Sequence, residues 1–160
     1  PEAQRKIAFN KTKNGNIEEA EKILITLIQN NQDNKALDIS LADFYRITKQ
    51  YDKAIYDYTA AIGLNPNYAK AYNNRGVAYS LKGIFVYYEY SKAIDDYTKA
   101  IELKPDYAKA YNNRGNAFYH LGQYQQALDD YNRTIELDPN HQKAINSRLK
   151  LLNYGKLSNP

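Results

Sequence analysis

The stretch YAKAYNNRG occupies Tyr68–Gly76 and recurs, letter for letter, at Tyr107–Gly115. Such an identity inside one chain marks duplication, so the repeat is delimited before any single element is read. Working outward, AIDDYTKAIELKPDY at 93–107 is echoed by AIYDYTAAIGLNPNY at 54–68 and by ALDDYNRTIELDPNH at 127–141. The prolines set the step: Pro66, Pro105 and Pro139 lie 39 and 34 residues apart. A step of 34 back from Lys35 brings GNIEEAEKILITLIQN into frame. The units are therefore 1–34 (degenerate), 35–68, 69–107 and 108–141. Residues 142–154 read as the first half of a further unit, and 155–160 as a tail.

Each unit predicts two helices. In the last full unit Ala110, Tyr111, Arg114, Gly115, Phe118 and Leu121 follow helical spacing, with Arg114 interrupting the apolar stripe. Gly122 punctuates, and Tyr124, Ala127, Leu128, Tyr131, Ile135 and Leu137 resume the spacing. Asp138-Pro139 ends the second helix, because a residue before proline avoids the helical region. Glycine inside a helix costs about 1 kcal/mol, so Gly76 and Gly115 predict close helix approach. Ala93, Ala100 and Ala127 fit the same reading. Tyrosines at this spacing read as packing between helices.

Composition bounds the function. At 160 residues, 43% hydrophobic and 25% charged, the chain is one folded domain or short array. It lacks any apolar run of the ~18 residues that a membrane span needs. Without cysteine there are no disulfides or thiolate metal sites. A start at Pro1 and the lack of methionine are expected of a fragment, so a signal peptide could have preceded it. The compartment is not readable, with a slight lean to the cytoplasm. A net charge of +4 and pI near 9.0 allow acidic partners without arguing for nucleic acid.

The pattern resembles the tetratricopeptide-repeat family. Tyr111, Gly115, Tyr124, Ala127, Tyr131 and Pro139 match in the last unit. Tyr72, Gly76, Tyr90, Ala93, Tyr97, Ala100 and Pro105 match in the one before, and Tyr45, Tyr51, Ala54, Tyr58, Ala61 and Pro66 in 35–68. Arg75 and Arg114 depart from it, standing where the family usually has leucine. The resemblance implies an all-α, right-handed α-solenoid of antiparallel helix pairs, here four repeats plus a C-terminal capping helix over 142–154. It further implies a non-enzymatic protein–protein interaction scaffold that holds a peptide or partner protein in a concave groove.

By the same resemblance the groove positions begin with Arg5, Phe9, Thr12 and Lys13, then Ile39, Asp43, Arg46 and Ile47. The candidate peptide- or partner-binding residues are Lys70, Asn73, Asn74, Val77, Lys109, Asn112, Asn113, Asn116, Tyr119, Lys143 and Asn146, with Leu81 and His120 beside them. Asparagine offers a donor and an acceptor, which suits gripping an extended backbone. The array is similar to the asparagines in the repeats of O-linked N-acetylglucosamine transferases, with Asn74 and Asn113 at the matching place. The alternative is that Asn73 and Asn112 are solvated or hydrogen-bond between neighbouring helices.

Some family members clamp the C-terminal dicarboxylate of heat-shock chaperones with lysine, asparagine, asparagine, lysine and arginine. The matching residues here are Ile39, Asp43, Asn74, Lys109 and Asn113, of which two agree, so that ligand is not expected. An enzyme is not expected either, and no cofactor or metal is called for. His120 and His141 have no ligand partners at helical spacing, and no phosphate loop occurs. Asp95-Asp96 and Asp129-Asp130 recur with the repeat and read as solvated helix faces. The alternative function is an RNA-binding helical-repeat module that uses Lys70, Lys109 and Lys143 with Arg75, Arg114 and Arg148 and stacks bases on Tyr119 and Phe9. The small charge excess disfavours it.

The longer unit contains IFVYY, Ile84, Phe85, Val86, Tyr87 and Tyr88, inserted in the turn between its two helices. Phe85, Tyr87 and Tyr88 would offer roughly 450–750 Å² of surface, as much as the largest patch on an ordinary monomer. The segment is therefore expected to be buried, and self-association into a homodimer is the simplest way. Either the second helix starts early and projects its aromatic end, or the turn is lost and one long helix swaps between copies. A loop folded back on its own repeats is the remaining option.

Overall fold

The computed structural model describes residues 2–30, 35–83 and 87–153. Among them are nine helices and no strand: α1 (Glu2–Lys13), α2 (Ile17–Asn30), α3 (Lys35–Ile47), α4 (Tyr51–Leu64), α5 (Ala69–Lys82), α6 (Tyr87–Leu103), α7 (Ala108–His120), α8 (Tyr124–Leu137) and α9 (Gln142–Asn153). Each packs on its neighbours in sequence, and α1, α3, α5 and α7 also touch in succession. Helices α1, α3, α5 and α7 thus line one continuous face of an all-α solenoid.

Two kinds of turn build the array. Between α4 and α5 and between α8 and α9 the chain is extended just before proline, at Asn65 (φ −141°) and Asp138 (φ −139°), as the ring requires. Within pairs the backbone turns left-handed at Gly15 (φ +83°), Lys49 (+62°) and Gly122 (+74°). The next amide then reaches back to a helix carbonyl: Asn16 N to Lys11 O (2.9 Å), Gln50 N to Tyr45 O (2.8 Å) and Gln123 N to Phe118 O (2.9 Å). The fourth equivalent residue, Gly83, has φ −82°. The insertion changes that turn.

The insertion also lengthens α6. It has 17 residues where α4 and α8 have 14, and begins at Tyr87 ahead of the Tyr90 that matches Tyr51 and Tyr124. The second helix of this unit therefore starts early. It packs on α5 of the same chain. Ile84, Phe85 and Val86 lie outside the described residues. Glu89, whose side chain is 13% exposed, anchors the added turn between Lys92 (3.7 Å) and Lys82 (3.9 Å). Lys92 Nζ stands 4.3 Å over the Tyr88 ring and 5.2 Å over that of Tyr79. Tyr87 and Tyr88 remain 66% and 65% exposed.

Alanines and tyrosines make up most of the core. Ala54, Ala93 and Ala127 are fully buried, and so are Tyr58, Tyr97 and Tyr131 to within 1%. Gly76 and Gly115 give these rings their room. A Cβ on Gly76 would meet Tyr97 Cε1 at 2.8 Å, and one on Gly115 would meet Tyr131 Cε1 at 2.9 Å. In the other units the same place holds Ala8 and Ala42 in α1 and α3, and Leu149, 46% exposed, in α9. The last helix covers Tyr131 and Ala127 with Ala144 and Leu151, both fully buried.

Candidate functional site

The groove face is built on side chains that hold one another. Tyr58 and Tyr131 come through the layer from α4 and α8 and donate their hydroxyls to Asp43 and to Asn116 Oδ1 (2.8 Å), residues of α3 and α7. At the intervening position Val77 cannot accept, and Tyr97 pairs with Ser80 instead (3.1 Å). Burial pushes the phenols of these tyrosines up, that of Tyr131 to about 12.

The asparagines form a ladder across three repeats. Asn74 Nδ2 donates to Asp43 Oδ1 (3.0 Å), Asn73 Nδ2 to Asn74 Oδ1 (2.9 Å), and Asn113 Nδ2 to Asn73 Oδ1 (3.0 Å). Asn73 and Asn112 are buried, at 4% and 5% exposure. Asn74 and Asn113 thus bond to neighbouring helices, and Asn73 links the two bonds within α5. Lys70, Lys109, Lys143 and Asn146 are exposed, and Asn146 accepts from Gln142 (2.8 Å). Tyr119 is half-buried between His120 and Tyr124, with Lys150 Nζ 5.5 Å above it.

Two open cavities lie along this face. One, between α5 and α7, is lined by Val77, Leu81, Asn113, Asn116 and His120 with Tyr90 and Tyr97 behind. His120 stacks on Tyr90 with ring centroids 5.0 Å apart. The other, between α1 and α3, is lined by Arg5, Ala8, Phe9, Thr12, Leu24, Ser40, Asp43, Phe44, Arg46 and Ile47. Of the predicted site residues, Val77, Asn113 and Asn116 therefore share a cavity, while Asn73 and Asn112 are drawn into the layer beneath.

Asp96 and Asp130 are not solvated, contrary to the reading of the paired aspartates. They are 5% and 4% exposed, while Asp95 and Asp129 face solvent. Arg75 Nε and Nη2 grip both oxygens of Asp96 (2.9 and 2.7 Å), and Arg114 does the same to Asp130 (2.9 and 2.8 Å). The third nitrogen of each arginine reaches the preceding repeat, at Thr59 (3.0 Å) and Thr98 (3.1 Å). Burial pushes both carboxyls above the usual aspartate range, and the guanidiniums oppose it. The arginines that replace a leucine are thus interhelix clamps. Their sequence signal was present: an arginine repeating in phase with an aspartate.

Among the described residues no group of acids and histidines could hold a metal, and no helix is long and apolar enough to cross a membrane. Models of the tetratricopeptide repeat match residues 108–141, and of the TPR repeat 42–83 and 89–122. The first TPR of Spaghetti (RPAP3), solved bound to HSP90 peptide SRMEEVD, is 30% identical, with 75% of this chain and 91% of that one covered and a TM-score of 0.68. The Arabidopsis OM64 TPR domain is 28% identical over 75% of this chain and 95% of its own, with a TM-score of 0.69. MamA is 24% identical over 94% and 85%, with a TM-score of 0.78, and so supports the fold alone. No match was found among curated proteins. The repeat frame, the helix pairs and these likenesses agree: the chain belongs to the tetratricopeptide-repeat family and has the fold of a protein–protein interaction scaffold.

Proposed function

We propose that the chain holds an extended segment of a partner protein along the face of α1, α3, α5 and α7. The observation that carries this is the alignment of two open cavities on that one face, joined by the asparagine ladder. The ladder fixes the backing of the groove, so its geometry exists before a ligand arrives. A partner captured from lysate and then produced pure should bind about tenfold more weakly to a Leu81→Ser, Asn113→Ala variant with unchanged helicity. Unchanged affinity would remove the reading.

A dicarboxylate terminus is not the proposed ligand, although the related Spaghetti (RPAP3) domain was solved with an HSP90 peptide. At the matching places Ile39 is buried, Asp43 is anionic, and Asn74 is already bonded to Asp43. RNA is disfavoured for a similar reason. Arg75 and Arg114 are held by Asp96 and Asp130 and offer no free fork to phosphates.

Self-association is the second reading, favoured by the exposed Tyr87 and Tyr88 on the anchored first turn of α6. Light scattering of the chain beside one lacking residues 84–88 tests it. A dimer that becomes a monomer on deletion is expected. A parent that is monomeric throughout the micromolar range would defeat it.

A further inference from the structure

The two cavities of the groove differ in chemistry. The one over α5 and α7 presents amides and hydroxyls beside its apolar atoms. The one over α1 and α3, about 340 Å³, falls in the size range of small-ligand pockets. It has a floor of buried Ala8, Leu24 and Phe44, and a rim of Phe9 and Ile47, which are 49% and 46% exposed. Isolated exposed apolar residues are ordinary, but these two line one hollow.

Charge adds a second constraint. Arg5 and Arg46 line the cavity, and Lys13 Nζ sits 4.8 Å above the Phe9 ring. Asp43 is the one acid lining it among the described residues, and its carboxylate is engaged by Tyr58, Asn74 and Arg46. Arg46 matches Asp43, with 3.3 Å between them. Arg5 is left over, and its Nε has no hydrogen-bond partner among the described residues. An apolar floor with one unmatched guanidinium suits an apolar side chain next to one carboxylate.

We propose that this cavity anchors an internal segment of the partner that carries a large aliphatic or aromatic residue adjacent to Asp or Glu. The inference rests on the groove reading above and names its ligand class. The apolar side chain seats between Phe9 and Ile47 over Phe44, and the carboxylate takes Arg5. Arg5 is the one unmatched cation that lines the cavity itself, Lys13 standing over the Phe9 ring at its rim, so the lining asks for one carboxylate and a free chain terminus is not required.

The test is selection of peptides from a random displayed library on the whole chain, followed by fluorescence anisotropy of each peptide as free acid and as C-terminal amide. Enriched peptides should share the apolar–acidic pair and bind equally well when amidated. A Phe9→Ser, Ile47→Ser variant should weaken them about tenfold or more. Arg5→Gln, on an otherwise solvated helix, should weaken them several-fold, less so in high salt. If the serine variant loses helicity, Arg5→Gln and the amide comparison still decide. Peptides that bind but ignore Phe9, Ile47 and Arg5, or that need a free terminus, would overturn the inference and leave the groove reading standing. A library that yields no binder would overturn both. Loss of a dimer in the serine variant would instead assign the cavity to a second copy.

Discussion

Arg75 and Arg114 show how far one side chain can reach in a solenoid. Each closes its own helix pair through a bidentate aspartate and touches the preceding repeat through a threonine. Removing the aspartate alone leaves a guanidinium that is mostly shielded, 18% exposed for Arg75, without its counter-charge. Asp96→Ala should therefore cost about 2–4 kcal/mol, somewhat below the figure for a fully buried orphaned charge. Replacing both members by leucine should recover most of that loss, since a buried pair and an apolar pair of similar volume are often close in stability. The chain already tolerates Leu41 at the arginine place one repeat earlier. Urea unfolding of the single and double variants gives the comparison, and equal losses in both would show that packing, not charge, sets the cost. From sequence, Arg75 and Arg114 were visible as oddities but their partners were not. Asp95-Asp96 reads as a polar surface in one dimension, yet successive helical residues point about 100° apart. One of the pair faces outward and the other faces the arginine.

Helices differ in how much of themselves they bury. α1 buries only Ala8, and α2 buries Ala20 and Leu24, whereas α8 buries Ala127, Asp130, Tyr131 and Thr134. In a solenoid each helix is held by its nearest neighbours, and among the described residues α1 is held by α2 and α3 alone. Amide hydrogen exchange should be fastest in residues 2–20 and slowest in α6 to α8. Uniform protection along the array would contradict this. Helix positions and the proline turns were legible because the spacing repeats. The turn at Lys49 was not, because a lysine with φ +62° is held there by the reach-back bond of Gln50 rather than by its own preference. Nor was the behaviour of the asparagines. An amide at a groove position can face a ligand or a neighbouring helix, and the choice depends on whether the next repeat places another amide within 3 Å, as Asn113 does for Asn73.

Across the whole molecule, the glycine place records which helices accept a close second helix. Ala8, Ala42, Gly76 and Gly115 leave room for the helix that follows each, and the tyrosine rings of α6 and α8 fill the space above Gly76 and Gly115. Leu149 presents a whole side chain at that place, where on α7 a single Cβ would come within 2.9 Å of the ring of the helix that follows in the same unit. The array is consequently extensible from the inside, and Leu149 is expected to oppose a further helix packed on α9. A second copy of residues 108–141 spliced between 141 and 142 would give every helix the kind of neighbour it has now. Such a chain should fold with one more helix pair, a larger denaturant m-value and a higher midpoint. A sequence like 124–137 joined after α9 should stay unpacked until Leu149→Gly opens the contact, which circular dichroism would register as helix gained only in the glycine version. One leucine thus sets where modular growth of this protein can and cannot take place.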